Sequence, residues 1–430
     1  MRKPTLALIA TIAFLPTAQA GITPEEIDQA AAAVQPQVVE WRRWFHENPE
    51  LSNREFNTSA RVAEILRGMG LEPRTGIAHT GVIAIIEGGL PGPLVAIRAD
   101  MDGLPVVEQT GLPYASKARS EYNGQDVGVM HACGHDAHMS MALGAAKVLN
   151  DMKAELPGSV MLIFQPAEEG PPAGEDGGAS MMLDEGIFAD RVPSAVFGIH
   201  IGLGAPGGQL QVKPGPMMAA ADRYQITVKG KQTHGARPWQ GVDPIVISAQ
   251  IVLGLQTIAS RQVDVTLAPS IISVGRISGG IRNNVIPDQV EIEGTIRTFD
   301  PDMREQIHTA VERTARLIAE SAGAEIEFVL DQGPPPLVND IDLTAMMGPS
   351  LERASGYPVV SLQPQTVAED FSEYANLTPA VFIFLGNWPE GSDQANNSSN
   401  HSPHFQMYEP YMETGVKAFT HMVVDYLKSK

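Results

Sequence analysis

The 430-residue sequence contains a single cysteine, Cys133. One thiol cannot close an intramolecular disulfide, so no disulfide framework supports the fold and the lone sulfur needs an explanation of its own. Cations are scarce as well: 30 Lys and Arg stand against 50 Asp and Glu, a formal net charge of -20. Such a surface repels phosphate backbones and anionic lipid, which argues against a nucleic-acid partner. Internal repeats, coiled-coil heptads and long low-complexity tracts are absent from the sequence. What remains, 43% hydrophobic and 19% charged residues, is the composition of a globular chain and excludes a disordered, collagenous or multispanning one.

The N-terminus begins Met1-Arg2-Lys3, continues as an apolar stretch from Leu6 to Leu15 broken by Thr11, and ends Pro16-Thr17-Ala18-Gln19-Ala20. This is the charged, apolar and Ala-x-Ala pattern of a secretory signal peptide. The apolar part is about ten residues, against the ~20 of a spanning helix, so a cleavable signal is favoured over an uncleaved anchor. Cleavage is expected after Ala20, giving an exported protein, periplasmic or secreted, without a stable membrane anchor. In an oxidising compartment an exposed thiol is a liability, whereas a buried or metal-bound Cys133 is protected.

The remaining length suggests two domains. Strand-like runs at Val82–Ile86, Leu94–Arg98, Val160–Gln165 and Ala195–His200 alternate with a helix at Ala137–Leu149, which indicates an α/β sheet with its chemistry at the strand ends. From Arg223 a second pattern reads strand, helix, strand, strand, helix, strand: Arg223–Val228, Pro244–Ser260, Ser270–Ser278, Val290–Phe299, Asp302–Ser321 and Glu325–Leu330. That order is the ferredoxin-like βαββαβ unit, which closes on itself and so is expected as an insertion. Gly204–Pro216 and Gly333-Pro334-Pro335-Pro336 are hinge candidates. The expected division is 1–20 signal peptide, 21–216 and 333–430 the two parts of one domain, and 217–332 the insertion. The second part is expected to hold a strand at Ala380–Leu385 and a helix near Pro410–Leu427.

Histidines, carboxylates and the only cysteine gather at a few of these strand ends. In His131-Ala132-Cys133-Gly134-His135-Asp136-Ala137-His138, a glycine between Cys133 and His135 lets both side chains converge on one ion. His131 and His138 fit second-layer or helix-packing roles better than ligation. Gln165-Pro166-Ala167-Glu168-Glu169-Gly170 closes an apolar strand. In extended backbone neighbouring carboxylates point apart, so one could bind a metal while the other addresses water or substrate. His200 closes another apolar strand, His401 lies in Asn400-His401-Ser402-Pro403-His404, and Asp100 is placed to orient a ligating histidine through its second nitrogen.

Taken together, Arg98-Ala-Asp-Met-Asp-Gly-Leu-Pro105, His131-Ala-Cys-Gly-His-Asp-Ala-His138, Gln165-Pro-Ala-Glu-Glu-Gly170, His234-Gly-Ala-Arg-Pro238, Gly241-Val-Asp-Pro244, Asn284-Val-Ile-Pro287, Ala368-Glu-Asp-Phe371 and His401-Ser-Pro-His404 resemble the M20 metallopeptidase/amidohydrolase family. The nearest branch is that of hippurate hydrolases, N-acyl-amino-acid amidohydrolases and auxin-conjugate hydrolases. The motifs run in family order over nearly all of the chain from about residue 40.

The resemblance implies an α/β fold, with a mixed-sheet metallohydrolase catalytic domain and an inserted ferredoxin-like domain through which the chain forms a homodimer. It implies two divalent metal ions held by Cys133, His135, Glu169, His200 and His401, with Glu168 as general base and acid. It also implies His234 as the oxyanion donor, supplied to the partner subunit's site, and Asn284 and Arg297 as holders of the substrate's free carboxylate. Two ions ~3.5–4 Å apart lower the pKa of a shared water and polarise a carbonyl. A thiolate ligand favours zinc, with manganese next and cobalt or nickel open. More distant members carry aspartate near the position of Cys133.

The sequence departs from the family at three points. Pro171–Gly178 is an expanded loop, so Glu175, Asp176 or Asp184 competes with His200 as ligand. Trp239 stands where many relatives have histidine, which favours an apolar or aromatic substrate group. Arg276 and Arg282 either assist Arg297 or merely offset acidic neighbours. The expected activity is hydrolysis of the amide of an N-acyl amino acid or short peptide. The alternatives are a non-catalytic periplasmic binding protein for acyl amino acids, or a relative acting on carbamoyl or ester bonds.

Overall fold

A computed structural model describes residues 21–389, 391–392 and 398–430. The expected signal peptide, residues 1–20, lies outside the described residues. An eight-stranded mixed sheet forms the larger body, in the order Arg74–Ile77, Gly81–Glu87, Pro157–Gln165, Leu90–Asp100, Val196–Pro206, Ala380–Trp388, Leu210–Val212 and Val360–Ser361. The four central strands, from Pro157–Gln165 to Ala380–Trp388, run parallel. Their apolar sequences follow from burial on both faces. Along Leu90–Asp100, Val95, Ile97 and Ala99 join one core, while Leu94 and Ala96 join another on the opposite face.

Helices Pro24–Glu47, His135–Asp151 and Met412–Lys428 pack together on the first of these faces. Thr23 starts the first of them with a reciprocal capping box to Glu26. The shorter helices Gly178–Asp184 and Ser372–Ala375 cover the second face, through Met182 and Tyr374. Because the parallel strands end on the same side, Asp100, Gln165 and the His200 region of the third strand come to one edge of the sheet.

The inserted unit has a core of its own. Its four antiparallel strands lie in the order Ser270–Ser278, Gln289–Thr298, Asp222–Lys229 and Glu325–Gln332. This is the ferredoxin-like arrangement. Helix Pro244–Arg261 is apolar and long enough to meet a membrane criterion. It nevertheless contributes Ile247, Ile251, Leu255 and Ile258 to this core.

The first hinge differs from expectation. Much of Gly204–Pro216 belongs to strands, because Leu210–Val212 pairs with Ala380–Trp388 and Gly215–Met218 pairs with Leu337–Asn339. The chain crosses later, where Ala220 N–H donates to the Thr298 carbonyl (2.7 Å) and Ala221 N–H to that of Pro334 (3.3 Å).

A buried ion group fastens both crossings. Asp222 accepts from Arg304 Nε (3.1 Å) and His308 Nε2 (2.7 Å), and Arg304 Nη2 also donates to the Gly333 carbonyl (2.7 Å). Burial opposes ionisation of Asp222, but His308 and Arg304 outweigh it and hold its pKa below the usual carboxylate value. A lowered folded-state pKa gives stability that is complete above the unfolded value and is lost as pH falls through the folded one. Asp222→Asn should therefore destabilise the protein by about 3 kcal/mol near neutral pH. The difference from wild type should shrink below about pH 4, as urea unfolding at both pH values would measure.

Candidate metal centre

The turn that carries Cys133 and His135 requires its glycine. Gly134 has φ 103°, in the left-handed region, and a Cβ there would lie 3.2 Å from the Ile201 side chain. The flanking side chains are thereby set at the start of helix His135–Asp151, His135 fully buried and Cys133 buried at the cavity wall. Asn400 fixes the same turn by donating to the carbonyls of Cys133 (3.0 Å) and Ile201 (3.2 Å).

His200 donates from Nδ1 to the Ile201 carbonyl (2.8 Å), which leaves the lone pair on Nε2, 3.4 Å from Cys133 Sγ. His401 Nε2 lies 3.0 Å from Glu169 Oε1. His135 Nε2 lies 3.7 Å from Glu168 Oε2 and 4.0 Å from Glu169 Oε1. Two of the resulting donor groups share the thiol, Cys133/His135/His200 and Cys133/Glu169/His401, and a third joins His135 to Glu168 and Glu169, each with its donor atoms within 4.8 Å of one another.

Both His135 ring nitrogens and Glu169 Oε1 are buried without a hydrogen-bond partner among the described residues. Buried polar atoms are normally satisfied, so lone-pair atoms converging in this way fit metal ions. Two overlapping donor groups that share a thiolate suit a pair of ions. The competing carboxylates lie elsewhere: Glu175 pairs with Arg54 (2.6 Å), and Asp184 is exposed at the end of its helix.

The Glu168–Glu169 pair is not in extended backbone, so strand alternation does not separate the two side chains. They sit in a turn after the strand, entered through Ala167 at φ 53°. Asp102 holds that turn: its two oxygens accept the backbone N–H groups of Glu168 (3.1 Å) and Glu169 (3.0 Å), and Ser52 Oγ donates to it (2.7 Å). Glu55 secures the preceding residue by accepting the Ala167 N–H (2.9 Å).

The expected role of Asp100 also changes. Asp100 Oδ1 accepts from His138 Nδ1 (2.7 Å), and His138 Nε2 accepts the Ile201 N–H (2.8 Å). Asp100 therefore positions the strand that carries His200, through His138. The carboxylate nearest to His135 Nδ1 is Asp102 at 3.3 Å, against 3.8 Å for Asp100. His131 is buried outside both donor groups, with both nitrogens unpartnered. The sequence showed Asp102 only as part of a motif. Its spacing of two from Asp100 at a strand end was the available signal.

Glu369 and Asp370 complete the surroundings of Glu168, with carboxylate oxygens within 4.8 Å of it. Arg98 neutralises part of this charge, pairing with Asp100 (2.7 Å), Glu369 (2.9 Å) and Asp370 (2.7 Å). Burial, then the neighbouring Glu369 and Glu169, push the Glu168 carboxyl well above its usual range. Burial pushes His200 well below its ordinary value. At His135 burial has the same tendency but is outweighed by Asp100, Asp102 and Cys133, which hold the ring's pKa well above it.

A cavity of about 370 Å³ opens over Cys133, Glu168, Glu169, His200 and His401. None of His234, Asn284 and Arg297 lines it. His234 is exposed on the inserted unit, next to Asn284 through the Gly235 N–H to Asn284 O bond (2.9 Å), and Arg297 is half-buried on the sheet of that unit. Arg276 pairs with Glu291 and Glu293, as a residue offsetting acidic neighbours would.

Comparison with known proteins agrees with this arrangement. The profile of peptidase family M20/M25/M40 matches residues 96–425. N-acetyl-L-cysteine deacetylase of Bacillus subtilis is 40% identical over 355 residues, 83% of this chain and 81% of the relative. N-acyl-L-amino acid amidohydrolase of Geobacillus stearothermophilus is 42% identical over 318 residues, 74% of this chain and 82% of the relative. Among solved structures, a dinuclear metal-binding peptidase of the M20 family from Bacillus subtilis superposes with a TM-score of 0.76 at 35% identity, covering 93% of this chain and 100% of the other.

The shared thiol gives a direct test of the centre. Cys133→Ser should lower metal content from about two ions per chain, measured by elemental analysis, while circular dichroism remains that of the wild type. Unchanged metal content would remove Cys133 from the ligand set.

Proposed function

This chain belongs to peptidase family M20/M25/M40 and is a metal-dependent hydrolase, and we propose that it cleaves the amide bond of N-acyl amino acids or short peptides, releasing a carboxylate and an amine. The observation that carries this reading is that two donor groups meet at Cys133 while Glu168, a member of neither, lines the same cavity with its Oε2 3.7 Å from His135 Nε2. Cys133, His135, Glu169, His200 and His401 would hold two divalent ions, with zinc or manganese favoured and the thiolate pointing to zinc. When bound, such a pair supplies Lewis acidity to the scissile carbonyl and to a water.

The chain's own residues divide the rest of the reaction. Asp102 fixes the backbone of Glu168, so its carboxylate is held at the cavity floor. Glu168 takes a proton from the attacking water and passes it to the departing amide nitrogen. As the carbonyl becomes tetrahedral, its oxygen needs a hydrogen-bond donor beyond the metal ions. His234 of the partner subunit is proposed for that task, with Asn284 and Arg297 holding the free carboxylate of the substrate. Arginine's planar fork suits a carboxylate.

A homodimer through the inserted unit is supported by the surface it leaves open. Helix Pro244–Arg261 exposes Ile245, Val246 and Leu253, and the edge strand Ser270–Ser278 exposes Ile271 and Ile277. An unpaired apolar edge of this kind is a template for a second copy. Export with cleavage after Ala20 is part of the same proposal.

Glu168→Ala should retain its metal ions and lose turnover on N-acyl amino acids by about 10²–10⁴-fold. Retained turnover would remove Glu168 from the mechanism. Mixing inactive Glu168→Ala and His234→Ala proteins under proven subunit exchange should restore part of the activity, because one mixed site would be intact. No recovery would return His234 to a surface role.

A further inference from the structure

We propose that Glu55 is a positioning residue for the hydrolysis: acting through Ala167, it sets the aim of the Glu168 carboxylate, an inference that rests on Glu168 being the general base. Glu55 is fully buried, belongs to no donor group and does not line the cavity. An acid sealed from water in this way is costly unless its oxygens are used. Both are: Oε1 accepts the Ala167 N–H (2.9 Å), and Oε2 is hydrogen-bonded to Thr80 Oγ1 (2.6 Å).

These two bonds join segments whose backbones need outside support. Ala167 stands at φ 53°, and Thr80 follows Ala78 and His79 at φ 45° and 75°, all in the left-handed region. The residues just before Glu55 hold the chain that follows Ala167. Ser52 Oγ donates to Asp102 (2.7 Å), whose oxygens accept the Glu168 and Glu169 N–H groups. Asn53 Nδ2 donates to the Asp176 carbonyl (3.0 Å), and Arg54 pairs with Glu175 (2.6 Å). The run Ser52–Glu55 therefore clasps the chain from Ala167 to Asp176, which gives the expanded loop Pro171–Gly178 a part in holding the base. Within the clasp, the bond to the residue that leads into Glu168 is made by Glu55.

Burial and the nearby Asp102 push the Glu55 carboxyl up to about 8. At neutral pH it keeps its proton, so a glutamine reproduces it: the amide oxygen accepts the Ala167 N–H and the amide nitrogen donates to the Thr80 hydroxyl. Methionine has a similar length but only a weakly accepting sulfur. Without the bond, Ala167 is free to leave the left-handed region and Glu168 moves with it. A shift of about 1 Å at a reacting group costs about 10²-fold in rate. Cys133, His135, His200 and His401 lie on other segments, so the loss falls on the chemical step and the ions stay bound.

The test measures kcat, KM and metal content at neutral pH for metal-loaded wild type, Glu55→Met, Glu55→Gln and Thr80→Val, on the N-acyl amino acid that wild type turns over fastest, with Glu168→Ala as control. Glu55→Met should lose about 10–100-fold in kcat, with KM and metal content within about twofold of wild type. Glu55→Gln should return kcat to within about threefold of wild type, a rescue that loss of stability alone would not produce. Thr80→Val removes one of the two bonds and should lie between, and it decides the matter if Glu55→Met does not fold. Wild-type kcat in Glu55→Met or, failing that variant, in Thr80→Val overturns the proposal, as does a Glu55→Gln protein as impaired as Glu55→Met. Turnover retained by Glu168→Ala would instead overturn the assignment of the base. If wild type hydrolyses no substrate, hydrogen–deuterium exchange decides: the Ala167–Gly170 amides should exchange faster in Glu55→Met and Thr80→Val and at the wild-type rate in Glu55→Gln, and equal rates throughout overturn the proposal.

Discussion

The charge balance around Arg98 is the constraint on which the rest of the site depends. Asp100, at the end of strand Leu90–Asp100, is crowded by Asp102, Glu168, Glu369 and Asp370 from the loops around it, and Arg98 pairs with three of the five from full burial. Gln165 adds uncharged support by accepting from Arg98 Nε (2.9 Å) and donating to both oxygens of Asp370. Like charges at this spacing repel strongly in a low-dielectric interior. One guanidinium does not balance five carboxylates, and the crowding is relieved by holding the Glu168 carboxyl well above its usual range and the His135 ring well above its own. The arrangement becomes electrically reasonable when divalent cations are included. The acidity of the surface and that of the centre are thus separate matters. The first governs solubility and partners, and the second attracts ions.

Much of this was legible in the sequence because it is written in local patterns. The βαββαβ order follows from alternating apolar residues in Asp222–Lys229 and Gln289–Thr298 and the 3.6-residue spacing of helix Pro301–Ser321. Cys133 and His135 flank a glycine, so their convergence could be anticipated; His200 was expected at a strand end, but its strand runs on to Pro206, and it reaches the site because the neighbouring strand stops level with it at Asp100. The Glu168–Glu169 geometry could not, because it depends on Ala167 and on Asp102, which lies 66 residues away from Glu168. The first hinge was misplaced because glycine and proline are frequent in Gly204–Pro216, whereas edge pairing to Ala380–Trp388 and Leu337–Asn339 is invisible locally.

The two bodies of the chain bring complementary groups to the chemistry. The large sheet carries the candidate metal donors, Glu168 and a cavity wall that includes Met218, Leu362, Val367 and Phe384. The inserted unit bears His234, Asn284 and Arg297 on exposed or half-buried surface. Arg304 and Asp222 bind the two crossings of the chain together, so the inserted unit is joined to the sheet by a clamped base and not by two loose linkers.

Ala167 and His401 stand at φ 53° and 66°, each in the left-handed region that non-glycine residues avoid. One leads into Glu168 and the other is itself a metal-donor candidate, so the backbone tension lies in the two loops that carry these groups. Strain of this sort persists only where surrounding contacts enforce it. Here Glu55 grips Ala167, and the His401 N–H donates to the Ala132 carbonyl (2.8 Å). For protein engineering, relaxing Ala167 to glycine would ease the fold while slackening the hold on Glu168, the proposed general base. Heat tolerance and catalytic power therefore pull against each other at this residue, and gains in robustness are better sought in the outer helices.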